Sequence, residues 1–127
     1  MPESARLSPC VVIADDNKDA ADLLRLCFEL EGYIAFVVYD GAAAVSASTH
    51  HRPAVVILDI EMPKLDGYDA AKNIRCILGE GALLIALTAL DDDATKTKCR
   101  VCSFNHHLSK SGGFDALRVL VADRLVA

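Results

Sequence analysis

The chain has 127 residues, a formal net charge of −5 and a hydrophobic fraction of 53%. This length corresponds to one domain, for which we expect a core over residues 9–126 and a flexible segment over residues 1–8. The negative charge, without any basic stripe, argues against nucleic-acid binding. Neither a long apolar run nor a signal sequence is visible, which argues against a membrane role and predicts a cytoplasmic protein.

Short apolar runs alternate with longer amphipathic stretches along the whole chain. Strands are predicted at residues 10–14, 33–38, 54–58, 83–87 and 106–109. Helices are predicted at about residues 18–31, 41–50, 67–78, 91–102 and 113–126. This repeated (βα) order predicts an α/β fold, a doubly wound parallel sheet of five strands with helices on both faces. A barrel of eight such units would need about 250 residues.

Residues at the helix ends and on the helix faces refine this prediction. Asn17 or Asp16 is placed to cap the first helix, and Asp66 is placed to cap the third. Gly67 allows the backbone to approach closely where the third helix begins. The first helix is expected to bury a stripe of Ala20, Leu23, Leu24, Cys27 and Leu30. The last helix is expected to bury Phe114, Leu117, Leu120, Val121 and Leu125.

Several residues with reactive side chains are explained better by structural roles. The five cysteines are an odd number in mostly apolar segments, so we interpret them as reduced core thiols. Cys99 and Cys102 have C-x-x-C spacing, but no second pair or matching histidines accompany them, which disfavours a zinc or redox site. The acidic run at 91–93 is interpreted as helix capping. His106 and His107, adjacent on a strand, should point to opposite faces.

The strand at 54–58 is an uninterrupted apolar run that ends on Asp59. Such a run is typical of a strand buried on both faces in the middle of a parallel sheet. Open α/β sheets place their chemistry outside the carboxyl ends of their strands, so Asp59 is a candidate functional residue. Three other strands also end near polar residues that should meet at this edge: Asp15, Asp16, Thr88 and Lys110.

The chemistry of these residues favours phosphoryl transfer. Three carboxylates brought together repel one another, so one would be protonated unless a cation neutralised them. A small set of hard oxygen ligands suits Mg²⁺, with Mn²⁺ as an alternative. Lys110 supplies a mobile positive charge, and Thr88 supplies a hydroxyl donor for a phosphoryl group. The set predicts that Asp59 attacks phosphorus with charge stabilisation from Mg²⁺ and Lys110.

In these residues the sequence resembles the receiver (response-regulator) domains of two-component signalling. The resemblance extends from Cys10 to about Val126. Its motifs are Asp15-Asp16, Asp59 with Met62-Pro63 and Asp66-Gly67, Thr88-Ala89, and Lys110. The segment at 104–108 is most similar to receivers attached to hybrid histidine kinases, although free-standing receivers share it.

The resemblance implies a flavodoxin-like receiver fold and a phosphoacceptor function. A histidine kinase or histidine phosphotransfer protein would pass a phosphoryl group to Asp59, and the domain would then change conformation. The chain would act as a signalling domain, with self-catalysed phosphotransfer and dephosphorylation only, and not as an enzyme. Asp16 would ligate Mg²⁺ directly, Asp15 would do so mainly through water, and Glu61 would contribute its backbone carbonyl.

The expected switch involves Thr88 and an aromatic position that His107 occupies. Phosphorylation should draw Thr88 inward, and His107 should fill the space behind it. The surface that changes would be helix four, strand five and helix five, at about residues 92–124. This face is a candidate surface for a homodimer or an output partner.

Two residues depart from the family pattern. Ser111 stands where a proline usually follows the lysine, and a cis bond before a residue other than proline costs about 2.5–4 kcal/mol. Ser103 stands where a glycine often ends the fourth helix, and serine is poorer in the left-handed conformation often needed there. Both residues flank strand five, so they affect its switching more than the phosphoacceptor.

Two other functions stay open at this point. The main alternative is a receiver-like interaction module that works without phosphorylation; the intact acids argue against it, and Ser111 leaves room for it. A small hydrolase is a weaker alternative, because no separate acid, base or substrate pocket is visible. Glu61 could be a bystander or could tune the lifetime of the phosphoryl group by its charge.

Overall fold

A computed structural model describes residues 7–62, 66–89, 93–101 and 103–125. Asp91 and Asp92, predicted as part of a helix cap, lie outside these residues. Cys102 of the C-x-x-C pair also lies outside them. No helix in these ranges is both long and apolar enough to cross a membrane.

Five strands form one parallel sheet. They are β1 (Ser8–Ala14), β2 (Ile34–Val38), β3 (Pro53–Asp59), β4 (Leu83–Thr88) and β5 (His106–Ser109). Their order in the sheet is β2-β1-β3-β4-β5. The predicted central position of the third strand is therefore confirmed, and β2 and β5 lie at the two edges.

Five α-helices connect or follow the strands. They are α1 (Lys18–Leu30), α2 (Gly41–His51), α3 (Gly67–Leu78), α4 (Asp93–Val101) and α5 (Asp115–Leu125). A short 3-10 helix at Lys110–Gly112 comes before α5. The last helix starts two residues later than predicted, because Gly113 has a φ of +81° and ends the turn.

Alternate residues of each strand face two separate helical layers. On one face, Val56 and Leu58 pack with buried residues of α2 and α3 and with Cys99 of α4. On the other face, Ile57 and Ile85 pack with buried residues of α1 and α5. These two layers confirm the predicted doubly wound α/β fold.

The predicted buried stripe of α1 is wrong in part. Ala21 and Phe28 are the buried residues, whereas Leu23 and Leu30 are 61% and 78% exposed. The ring of Phe28 meets that of Phe114 edge-on, with 4.8 Å between the ring centroids. The apolar residues of α1 occupy a broader arc of the helix than the face that meets the sheet, so periodicity alone does not select that face.

The predicted role of the cysteines as core thiols is also wrong in part. Cys10 and Cys99 are buried, but Cys27 is only half-buried and Cys76 is exposed. None of these four cysteines forms a disulfide bond among the described residues.

The start of α3 lies against the residues at the end of β3. The Asp66 carboxylate accepts a hydrogen bond from the Asp69 amide at 3.0 Å, which caps the helix as predicted. A Cβ atom on Gly67 would lie 2.5 Å from the Cα of Ile60 and 2.6 Å from the carbonyl oxygen of Asp59. The predicted close backbone approach at Gly67 is thereby confirmed.

Arg75 on α3 forms hydrogen bonds at the end of the sheet opposite the carboxyl ends of the strands. Its guanidinium donates to the carbonyl oxygens of Ala82 at 2.7 Å and Ser103 at 2.8 Å. It also donates to the side-chain oxygen of Asn105 at 2.7 Å. These bonds connect α3 with Ser103 and Asn105, which lie between α4 and β5.

The two departures from the family pattern have different outcomes. No peptide bond among the described residues is cis, so the Lys110–Ser111 bond is trans. Ser103 adopts a φ of +77°, the left-handed conformation that the family pattern indicated for this position. A residue other than glycine is strained in this left-handed conformation, at a cost of roughly 1–3 kcal/mol.

We predict that Ser103→Gly raises the free energy of unfolding by about 1 kcal/mol. Relief of the left-handed strain exceeds the extra entropy of glycine in the unfolded chain, which is about 0.4–1 kcal/mol. Urea unfolding monitored by circular dichroism measures the change. Ser103→Ala is the matched control, since alanine removes the hydroxyl but keeps the strain. Equal stability of the two variants would contradict the prediction.

Candidate functional site

Acidic side chains from two neighbouring strands meet at the carboxyl edge of the sheet. Asp59 ends β3, and Asp15 and Asp16 directly follow β1, its hydrogen-bonded neighbour. One carboxylate oxygen from each of the three lies within 4.8 Å of the others. Within the described ranges, no other group of three His, Cys, Asp or Glu side chains is arranged to hold a metal ion.

Lys110 bridges the two buried carboxylates of this group. Asp59 and Asp15 are 1% and 2% exposed. The Lys110 Nζ atom lies 3.0 Å from Oδ2 of Asp59 and 3.2 Å from Oδ2 of Asp15. Burial alone would lower the pKa of the Lys110 ammonium, but its bonds to the two carboxylates outweigh burial and raise it. The lysine is therefore charged at neutral pH.

The other oxygen of each buried carboxylate accepts a backbone hydrogen bond. The Glu61 amide donates to Oδ1 of Asp59 at 3.0 Å, and the Asn17 amide donates to Oδ1 of Asp15 at 2.9 Å. Burial is nevertheless the largest influence on Asp59, and the charge of Asp15 acts in the same direction. Together they raise the pKa of Asp59 from its ordinary 3.8 to about 6.

The residues present fit a divalent cation. Asp15, Asp16 and Asp59 offer only hard oxygen ligands, which suit Mg²⁺. Asp16 is exposed, so a cation could keep several waters on that side. One ammonium faces three carboxylates, which leaves an excess of negative charge that a divalent cation would neutralise.

Thr88 ends β4 beside this group and is completely buried. Its Oγ1 donates a hydrogen bond to Oε1 of Glu61 at 3.1 Å. From the sequence, Glu61 was expected to offer its backbone carbonyl to a metal ion, and its charge was a candidate influence on the lifetime of the phosphoryl group. The contact between its side chain and Thr88 was not predicted. The contact depends on how the loop after β3 turns, which residue spacing does not reveal.

His107 lies on the same face of the sheet as Thr88. Its register partner on β4 is Ala86, two residues before Thr88. His107 is half-buried, and its Nε2 atom is buried without a hydrogen-bond partner among the described residues. His106 is exposed, so the prediction that the two histidines point to opposite faces is confirmed.

A cavity of about 230 Å³ opens beside the acidic group, between α1 and α5. Asp15 and Lys110 line one end of it. Leu23, Leu24 and Phe114 supply part of its apolar wall. The cavity connects the Lys110–Asp15 ion pair with Leu23, an exposed leucine of α1.

Comparison with known proteins identifies the family. The family model described as the response regulator receiver domain matches residues 11–122. The chain belongs to this family. Receiver domains are signalling domains, and the parallel five-stranded sheet seen here is their fold.

Individual relatives agree with this assignment. The receiver domain of the Francisella response regulator 1452 superposes with a TM-score of 0.85 and 28% identity, covering 94% of this chain and 98% of that one. An "Uncharacterized 14.6 kDa protein in sodA1 3'region" of Leptolyngbya boryana is 32% identical over 101 residues, 79% of this chain and 77% of its own.

A much longer relative is hybrid signal transduction histidine kinase C of Dictyostelium discoideum. It is 29% identical over 114 residues, which are 84% of this chain. The matched part is only 9% of that protein's own length.

The raised pKa of Asp59 predicts how stability depends on pH in protein freed of metal by a chelator. The folded pKa, about 6, exceeds the unfolded value of 3.8, so the folded state holds the proton more tightly. The resulting stabilisation is complete below pH 4 and is lost as pH rises through 6.

We therefore predict that the free energy of unfolding falls by about 2 kcal/mol more in the unsubstituted protein than in Asp59→Asn between pH 4.5 and 7.5. Urea unfolding of both proteins at several pH values measures this difference. Asp59→Asn serves as the control, because its pH dependence reports the other titrating groups without the Asp59 carboxyl. A difference that stays constant, or changes sign, would contradict the raised pKa.

Proposed function

We propose that this receiver domain takes a phosphoryl group from a phosphohistidine onto Asp59 in a Mg²⁺-dependent reaction and then changes conformation to signal. The observation that carries the proposal is the position of Asp59. It is a buried carboxylate at the end of the central strand, bonded to Lys110 and close to two further aspartates.

The environment of Asp59 suits a nucleophile. Burial raises its pKa, and a more basic carboxylate oxygen is a stronger nucleophile toward phosphorus. That oxygen forms a bond to phosphorus while the bond from phosphorus to the donor's imidazole nitrogen breaks, and the electron pair stays on that nitrogen. No other reactant is needed for the transfer.

Lys110 and Thr88 act on the transferred group. The Lys110 ammonium, 3.0 Å from Oδ2 of Asp59, is long and mobile enough to move onto a phosphoryl oxygen. The Thr88 hydroxyl lies at the end of the adjacent strand and can donate a hydrogen bond to another oxygen. Both contacts stabilise negative charge on the phosphoryl group.

Asp16 and Asp59 would hold the Mg²⁺ ion directly, Asp15 mainly through water, and Glu61 through its backbone carbonyl. Bound Mg²⁺ would neutralise the carboxylates and the phosphoryl oxygens and so lower the barrier to their approach. The exposed position of Asp16 supports its direct role, because an ion there keeps access to solvent.

The proposed donor is a histidine kinase or a histidine phosphotransfer protein. Leu23 on α1 is exposed and lines the cavity that leads to Lys110. Leu26 and Leu30 are also exposed and follow it at helical spacing on the same helix. An apolar patch next to the phosphoacceptor is where a donor domain must rest to bring its histidine close.

The proposed output surface is the face formed by α4, β5 and α5. β5 is an edge strand, whose outer backbone groups are available for pairing, and His106 on it is exposed. Asp123 and Arg124 on α5 add exposed charges of both signs. Such a face suits either a second copy of this domain or an output partner.

We predict that acetyl phosphate with Mg²⁺ adds one phosphoryl group to the protein and none to Asp59→Asn. Asparagine keeps the shape of the side chain but has no nucleophilic carboxylate. Intact-mass spectrometry measures the added group. Asp66→Asn is the control, because asparagine caps α3 as well as aspartate does. Equal labelling of Asp59→Asn would refute the proposal, and absence of label in every protein would favour the phosphorylation-independent interaction module.

We predict that Mg²⁺ at about ten to a hundred times its dissociation constant raises the free energy of unfolding by about 1–3 kcal/mol. Asp16→Ala should remove most of this gain, because the ion loses a direct ligand. Thermal melts with and without Mg²⁺ measure the effect. Asp123→Ala, which removes an exposed charge from α5, is the control. An Asp16→Ala variant that responds to Mg²⁺ like the unsubstituted protein would contradict the ligand assignment.

A further inference from the structure

Glu61 contacts two functional residues at once. Its backbone amide donates to Oδ1 of Asp59 at 3.0 Å. Its side-chain Oε1 accepts from the Thr88 hydroxyl at 3.1 Å. Thr88 is completely buried, whereas Glu61 is exposed at the surface. A surface carboxylate therefore holds the hydroxyl of the buried threonine that the proposed reaction requires.

The hydroxyl group of Thr88 has a single hydrogen to donate. In the unphosphorylated structure that hydrogen is directed at Glu61. A phosphoryl oxygen on Asp59 would need the same hydrogen. The two acceptors compete, so Thr88 must leave Glu61 before it can bond to the phosphoryl group.

The two acceptors also repel each other. A phosphorylated carboxyl group carries more negative charge than a carboxylate and has additional acceptor oxygens. The backbone bond from Glu61 to Asp59 keeps residue 61 next to this charge. Phosphorylation thus weakens the restraint on Thr88 at the moment when a better acceptor becomes available.

We propose that the Glu61 side chain is a latch that holds Thr88 in its resting position and so opposes the switch to the phosphorylated conformation. The inference rests on the proposed function of Asp59. It gives Glu61 a positioning role through Thr88, distinct from its backbone contact with Asp59.

The affinity for beryllofluoride, which mimics a phosphoryl group on a carboxylate, measures how strongly Glu61 opposes the switch. With Mg²⁺ present, Glu61→Ala should bind it roughly threefold to tenfold more tightly than the unsubstituted protein, since one charged hydrogen bond no longer opposes the switch. Glu61→Gln keeps an acceptor oxygen without the charge and should lie between the two.

Loss of the Glu61 charge could raise this affinity without any latch, so the same comparison is made with Thr88→Val. Valine keeps the shape of threonine and removes the hydroxyl. If the latch acts through Thr88, Glu61→Ala should raise affinity at least threefold more with threonine than with valine at position 88. Equal gains in the two backgrounds would overturn the proposal.

A second measurement does not depend on phosphorylation. Three-bond couplings to the Thr88 methyl group in nuclear magnetic resonance spectra report the side-chain rotamer in the resting protein. The latch predicts that the resting rotamer of Thr88 is more highly populated in the unsubstituted protein than in Glu61→Ala. A Thr88 side chain already averaged, or unchanged by Glu61→Ala, would overturn the latch.

The two measurements distinguish failure of the latch from failure of the proposed phosphoacceptor function of Asp59. If no variant binds beryllofluoride, the proposed phosphoacceptor function fails. The rotamer of Thr88 still decides whether Glu61 restrains it.

Discussion

The structure of the site depends on the cost of burying two carboxylates side by side. Parallel pairing of β1 with β3 places Ala14 opposite Leu58, so the residues that follow, Asp15 and Asp59, are neighbours. Burial removes these carboxylates from water, and their charges repel each other. Both effects favour protonation and raise the pKa of Asp59. Lys110 offsets part of this cost by binding both. A site with this excess of negative charge favours a further cation, and a bound cation would also offset the repulsion between Asp59 and an anionic phosphoryl group.

The loop after β3 connects this charged site with the adjacent strand. Gly67 lacks a side chain that would collide with Ile60, so α3 can begin directly against the end of β3. The loop thereby keeps Glu61 between Asp59 on one strand and Thr88 on the next. His107 lies beside Ala86 on that same face. Direct hydrogen bonds therefore link Asp59, through Glu61, to Thr88 at the end of β4.

The sequence predicted most of the fold because each strand has a strong local signal. Continuous β-branched runs indicate buried strands, and the alternation of strands and helices predicts a doubly wound parallel sheet. The convergence of Asp15, Asp16 and Asp59 followed from that topology alone. The buried face of α1 did not follow, because Phe28 and several leucines compete for the core and only tertiary packing selects among them. The contacts of Glu61 and Arg75 were missed because they join residues far apart in the chain through loop conformations that spacing does not encode.

The central claim is that the phosphoryl group is carried by Asp59, and chemical trapping tests it most directly. Borohydride reduces an aspartyl phosphate to homoserine, and peptide mass spectrometry then locates the reduced residue. After phosphorylation in the presence of Mg²⁺, the account predicts homoserine at position 59 and at no other acid. Homoserine at Asp15 or Asp16, or a stable phosphoryl group that borohydride leaves intact, would contradict it.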